Sequence, residues 1–266
     1  MNIIVCVKEI PDPETPASAF AIDEAAMRAI PAKDTPPVIS PFDEQAVEAA
    51  LRLKDSLGAK VTVLSMGASS AEKVLKHTLS MGADEAFLLN DSSFENSDST
   101  SAAYTLAQAI KKVGEYDMII CGRQAGDFDS GQVGSGIAEM LGIPSVTVAK
   151  KIETLDGKAK VERVLPDGYE VVEVSLPALI TVSNELGEPR YATLKGIMAA
   201  AKKTVPVWNA AEIGADVASI GTEGRKTKML KLFIPVRESK CEFIEGENEE
   251  ETAVKLAQKL REVKLI

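Results

Sequence analysis

Gly122, Gly126, Gly131, Gly134 and Gly136 punctuate residues 122–136, directly after the apolar run MIIC. Glycine permits positive φ and close approach of backbone to a ligand. Beyond the loop, Val133, Ile137, Met140 and Leu141 resume helical spacing, so the order is strand, loop, helix. Free N–H groups at such a helix start form a natural diphosphate site. The loop is not GxGxxG and lacks the Lys-Ser/Thr of a P-loop. Spacing alone therefore leaves a phosphate cradle and a structural glycine turn equally open. Asp127 and Asp129 sit where a phosphate would meet like charge, and Ser130 or Asp129 is placed to cap the next helix. A second helix start, ISPFDEQ, brings Ser40, Pro41 and Asp43 together, a pattern that plain capping also explains.

Groups that make and break bonds are scarce. One histidine, His77, lies within an amphipathic helical stretch, and Cys6, Cys121 and Cys241 match no metal or redox spacing. No serine triad, HExxH or Cys/His cluster can be assembled, so neither catalytic residues nor a metal site are expected. Such a chain suits carriage of chemistry supplied by another group. Thirty basic and forty acidic residues leave a net charge of −10, which repels nucleic-acid phosphates. MNIIVCVKEI is apolar for only a few residues and reads as a first strand. With no stretch long enough for a membrane span, a cytoplasmic location is expected.

The elements that must position the loop alternate in type. Strands are expected at Ile3–Val7, Val61–Leu64, Phe87–Leu89 and Met118–Cys121. Helices are expected over 43–57, ending at Gly58; from a Ser69-Ser70 cap through Leu79; and over Ser99–Val113. This rhythm implies a mostly parallel sheet with flanking helices, whose strand C-termini bring both loops to one crevice with Cys6 and Met66. The connection from 10 to 42 is longer than a crossover needs. After Pro144, Asp156-Gly157 and Asp167-Gly168 turns mark a β-meander. An α/β domain is expected over 1–204 and an irregular arm over 205–266, ending in a helix at about 250–262 with Ala253, Leu256, Ala257 and Leu260 on one face. Such an arm is expected to pack on another chain.

Five stretches carry a resemblance: VCVKEIPDPE, ISPFDEQAVEAALRLK, MGADEAFLL, CGRQAGDFDSGQVG and NELGEPRYATLKGIMAAAKK. Together they resemble the β subunit of electron-transfer flavoproteins over essentially the whole length. The resemblance implies a Rossmann-like, adenine-nucleotide α-hydrolase-like fold and a heterodimer with an α subunit carrying redox-active FAD. It implies nucleotide contacts from Cys6, Ser40, Pro41, Phe42, Asp43, Met66, Gly122, Arg123, Gln124, Ala125, Gly126, Asp127, Phe128, Asp129, Ser130, Gly131, Gln132 and Val133. Leu194 matches the leucine that ordinary members insert into a partner dehydrogenase, flanked by Arg190, Tyr191 and Met198. Leu194 and Met198, at i and i+4, would equally suit a core stripe.

Ordinary members hold structural AMP, and electron-bifurcating members hold a second FAD that exchanges a hydride with NAD(H) and serves ferredoxin. KEIPDPE is similar to the bifurcating pattern KxVPDTxE, and Gln132-Val133-Gly134 is like its QVG where AMP-binding members usually carry QTG. The usual loop is closer to QAIDGDTAQVG. Here Gly126 replaces isoleucine, Phe128 replaces glycine, and Ser130-Gly131 replaces Thr-Ala. FAD is the expected cofactor and AMP the alternative. A reading of another class is an adenine-nucleotide sensor without an electron-transfer role, to which the 205–266 arm and EPRYATL would be superfluous.

Overall fold

The computed structural model describes residues 1–16, 19–30, 35–235 and 241–266. Parts of the 10–42 connection and of the 205–266 arm thus lie outside the described residues. The chain opens with β1 (Asn2–Val7), β2 (Glu9–Ile10), β3 (Ala21–Asp23), β4 (Arg28–Ile30) and β5 (Val38–Ile39). Next come α1 (Pro41–Leu57), β6 (Lys60–Met66), α2 (Glu72–Met81), β7 (Glu85–Leu89), α3 (Ser99–Val113), β8 (Met118–Gly122) and α4 (Val133–Leu141). The meander is β9 (Ser145–Leu155), β10 (Lys158–Leu165) and β11 (Gly168–Ser175), followed by β12 (Ala178–Val182), α5 (Leu194–Lys202), β13 (Val207–Trp208), α6 (Gly221–Gly224) and α7 (Glu249–Glu262).

The main sheet runs β11-β10-β9-β12-β8-β1-β6-β7-β13. Pairs from β9–β12 across to β7–β13 are parallel, and β9–β10–β11 are antiparallel. Alternate residues of β1 face opposite layers. Ile3, Val5 and Val7 join Val47, Leu51 and Leu75 of α1 and α2, whereas Ile4 and Cys6 join Leu106, Ile110 and Ile137 of α3 and α4. That two-residue period, repeated in β8, demands helices on both faces. No helix among the described residues is long and apolar enough to cross a membrane.

Sequence boundaries hold closely for α3, whose N-cap is Asp98, and for α1, which ends on left-handed Gly58. The Asp156-Gly157 turn has φ of 49° and 76°, as a two-residue hairpin turn requires. The Ser69-Ser70 cap does not form. A 3-10 turn over Ser69–Ala71 precedes α2, which begins with no side-chain cap, and the Ser70 hydroxyl donates to Glu9 Oε2 at 2.6 Å.

The first compact unit extends beyond residue 204, to Lys231. β13 pairs with β7, Trp208 stacks on Phe87 at 4.2 Å, and Ala210, Ile213 and Ile220 are buried. The second unit, Leu232–Ile266, contains α7. Asn248 caps α7 by accepting from the Glu251 N–H, acids fill its first turn, and Lys259 and Arg261 sit in its last. That charge order suits the helix dipole. Val254 and Leu256 are exposed.

Candidate functional site

From β1 the chain moves to β6 and β7 on one side, then returns to place β8 and β12 on the other. A crevice opens where the strand order reverses, beyond the strand C-termini. Here lies a cavity of about 670 Å³. Cys6, Met66 and Cys121 line it from the ends of β1, β6 and β8, with Asp43 at the start of α1. The loop after β8 adds Gly122, Arg123, Gln124, Ala125, Phe128, Ser130, Gly131, Gln132 and Val133.

Asp43 ties the crevice together. Its Oδ2 accepts from the Lys8 N–H at 2.9 Å and its Oδ1 from the Gly122 N–H at 3.1 Å, so one carboxyl joins β1, α1 and β8. Burial pushes its pKa up to about 7, although these N–H donors and Lys8 pull it down. The folded chain thus binds a proton that the unfolded chain releases near pH 4, so this stabilisation is fully present below pH 4 and disappears as pH rises to 7. The limiting slope is about 1.4 kcal/mol per pH unit. Urea unfolding should therefore show wild type losing stability relative to Asp43→Asn between pH 4 and 7. Parallel pH profiles would refute this linkage.

The loop acids turn away from the cavity and are not part of its lining. Asp127 Oδ2 pairs with Lys8 Nζ at 2.5 Å and its Oδ1 accepts from the Phe128 N–H. Asp129, at φ 51°, accepts from Gln124 Nε2 at 2.8 Å. Neither Asp129 nor Ser130 caps α4: the N-cap is Gln132, without a side-chain cap bond. Asp129 is already engaged, and the Ser130 hydroxyl meets Ser99 Oγ at 3.1 Å. Among the described residues, the N-cap of α4 thus supplies no side-chain acceptor to its first amides. Phe128 is 65% exposed, with Lys8 Nζ 5.3 Å from its ring centre. Ser40, Pro41, Phe42 and Gly126 also stand outside the lining. Phe42 carries the Arg123 guanidinium at 4.8 Å, and the Ser40 N–H donates to the Lys8 carbonyl.

Among the described residues, Lys8, Arg123, Arg225 and Lys228 line the cavity against two acids, Asp43 and Asp98, in a chain of net charge −10. Both acids accept backbone N–H bonds, and burial raises the Asp43 pKa to about 7, so that carboxyl is only partly ionised near neutrality. Arg123 Nε is buried without a partner among the described residues. This donor set suits an anionic, polar ligand such as a nucleotide. Cys6 and Cys121 are register partners on adjacent strands. The Cys6 contact and burial push the Cys121 thiol well above its usual range, making it a neutral and unreactive floor.

Sequence reasoning missed Lys8, Asp98 and the segment 225–229. Basic GRKTKM within an acidic chain was the available signal for the last of these.

A separate surface carries Tyr191 (97% exposed), Leu194 (75%) and Met198, joined by Ile197. Leu194 and Met198 are therefore no core stripe. Arg190 is turned inward instead: its Nε meets Glu48 Oε2 at 2.7 Å and its NH2 meets Asp55 at 2.8 Å. Burial raises the Glu48 pKa, but hydrogen bonds from Arg190 and Arg52 outweigh it and hold the carboxyl below its usual range.

The family described as electron transfer flavoprotein domain matches residues 31–213. The chain is 41% identical over 261 residues to an electron transfer flavoprotein subunit beta of Megasphaera elsdenii, covering 96% of this chain and 95% of the relative. It is 40% identical over 267 residues to a subunit of the caffeyl-CoA reductase-Etf complex of Acetobacterium woodii, covering 100% of each. The acryloyl-CoA reductase electron transfer subunit gamma of Anaerotignum propionicum is 37% identical over 260 residues, covering 94% of each.

Proposed function

We propose a function from one premise: the chain belongs to the electron transfer flavoprotein family, as a β subunit. The cavity holds FAD. The single observation carrying this reading is the basic lining of the crevice, whose two acids are both engaged by backbone donors, in an otherwise acidic chain. Its volume of about 670 Å³ lies well inside the range for a cofactor site.

The chemistry is the flavin's: hydride exchange with NAD(H), and electrons passed to the FAD of an α subunit and on to a partner dehydrogenase and ferredoxin. This chain's residues bind and orient. The loop and the α4 amides face the phosphates, Arg123 adds a fixed cation, and Cys6, Met66 and Cys121 supply an apolar, polarizable floor. The raised pKa of Asp43 lessens the repulsion that two phosphates would otherwise meet. The exposed cluster around Leu194 docks a flavin-dependent dehydrogenase, and α7 packs on the α subunit through its apolar side. The reductase systems named for two relatives support a CoA-ester oxidoreductase as that partner.

Extracting and counting nucleotides from the purified heterodimer tests the reading. Two FAD molecules per heterodimer are expected. One FAD with one AMP would replace it with the structural-nucleotide alternative, and a flavin-free homodimer would favour a sensor.

A further inference from the structure

The segment after α6 reaches the cavity by a route that the loop after β8 does not share. Asp98 uses its carboxylate twice. Oδ1 accepts from the Thr100 and Ser101 N–H groups at 3.0 Å each, capping α3. Oδ2 accepts from the Lys226 N–H at 2.7 Å, the Thr227 N–H at 2.8 Å and the Thr227 hydroxyl at 3.1 Å. Burial opposes the charge, but these donors outweigh it and hold the carboxyl far below its usual range. The approach to this tie is tight: Gly221 has φ +49°, and a Cβ there would lie 2.0 Å from the Ser93 carbonyl oxygen. Only glycine lets the chain pass so close.

Tied in this way, the segment presents Arg225 and Lys228 to the cavity. Neither has an ion-pair partner among the described residues. Asp98, which lines the cavity with them, is already engaged by six donors, the sixth being the Ser101 hydroxyl at 3.2 Å from Oδ1. Two cations held by a structural tie, in a chain of net charge −10, call for an anion.

We propose that residues 225–229 form a strap, tied down by Asp98, whose Arg225 and Lys228 take the second phosphate of a nucleotide diphosphate. This rests on the nucleotide reading above and deepens it. The loop after β8 and the start of α4 provide neutral N–H donors for one phosphate. The strap adds the charge that a second phosphate needs, with the arginine fork matched to phosphate oxygens. The site thereby selects the diphosphate of a dinucleotide over a nucleoside monophosphate, and Asp98 is its positioning residue.

Calorimetric titration of AMP and ADP into the nucleotide-stripped full chain tests the strap. Wild type is expected to bind ADP at least about tenfold more tightly than AMP. The double variant Arg225→Gln/Lys228→Gln should bring ADP down to the AMP level while leaving AMP within about twofold. Asp98→Ser keeps a hydroxyl to cap α3 and gives up the second oxygen, so it should lose the same preference. If that variant fails to fold, the double variant decides, because it leaves the cap untouched. Titrations with FAD and NAD+ then identify the dinucleotide concerned: a loss confined to either one upholds the strap and assigns it to that ligand. An ADP preference unchanged in the double variant overturns the strap, as does its absence in wild type. Failure of wild type to bind any nucleotide overturns the nucleotide reading, and the strap with it.

Discussion

Replacing Gly122 by alanine is expected to cost more than about 3 kcal/mol of stability and to empty the cavity. A Cβ there would stand 2.5 Å from Asp43 Oδ1, 2.7 Å from the Phe42 carbonyl carbon and 2.8 Å from Phe42 Cβ. Phe42 C and Cβ belong to the rigid start of α1, so movement of the Asp43 carboxyl alone cannot relieve the clash. Relief requires α1 and β8 to separate, which breaks the Asp43 bonds to the Gly122 and Lys8 amides. Each buried donor left unpaired costs a further 1–3 kcal/mol or so. Gly142→Ala is the control. Gly142 has φ +67° with nothing within 4 Å of a built Cβ, so it isolates the conformational cost, about 1 kcal/mol. Urea unfolding and nucleotide extraction read both effects. A Gly122→Ala chain as stable as the Gly142 control, with full nucleotide content, would show that the crowding is harmless.

The second large effect is expected at Arg190. Its guanidinium, with that of Arg52, compensates Glu48, a carboxylate on the buried face of α1. Arg190→Ala leaves that charge with one cationic partner, Arg52, and the partly exposed position of Arg190 keeps the cost near the lower end for broken buried pairs, about 3 kcal/mol. The consequence reaches the surface. Arg52 also holds the Leu186 and Glu188 carbonyls, so this cluster pins the segment leading to Tyr191 and Leu194. α5 itself stays anchored, because Gly196 lets it lie against the Ser80 carbonyl at a distance no Cβ could occupy. If the surface around Leu194 docks a dehydrogenase as proposed, electron transfer to it should therefore fall several-fold while the extracted nucleotide content stays constant. Arg190→Lys, which keeps the charge without the fork, should recover only part of the stability. A loss of nucleotide in Arg190→Ala would contradict the separation of these two surfaces.

Legibility followed the range of the interactions. The alternation in β1 and β8 and the helical spacing of α1 and α3 are local repeats, and they placed those elements nearly residue for residue. Failures clustered at helix starts. A hydroxyl or carboxylate is free to choose a distant partner: Ser70 went to Glu9, and Asp129 went to Gln124. The loop residues expected around a nucleotide divided into a lining set and a supporting set, because Asp127 found Lys8 across the crevice. Arg190 was legible as a charge after Pro189, but its partner Glu48 lies 142 positions away.

By itself the sequence determined an α/β chain with a parallel sheet, a meander, a glycine-rich loop after the fourth long strand, and a resemblance naming the electron-transfer flavoprotein β subunit. Periodicity and turn chemistry are properties of neighbouring residues, so they can be read without a fold. Only the tertiary structure decided that Asp43 staples three elements, that residues 205–231 complete the first unit, and that Asp98 draws 225–229 to the cavity wall. Each of these is a contact between segments far apart in sequence. Sheet order brings them together, and burial then decides which polar atoms must pair.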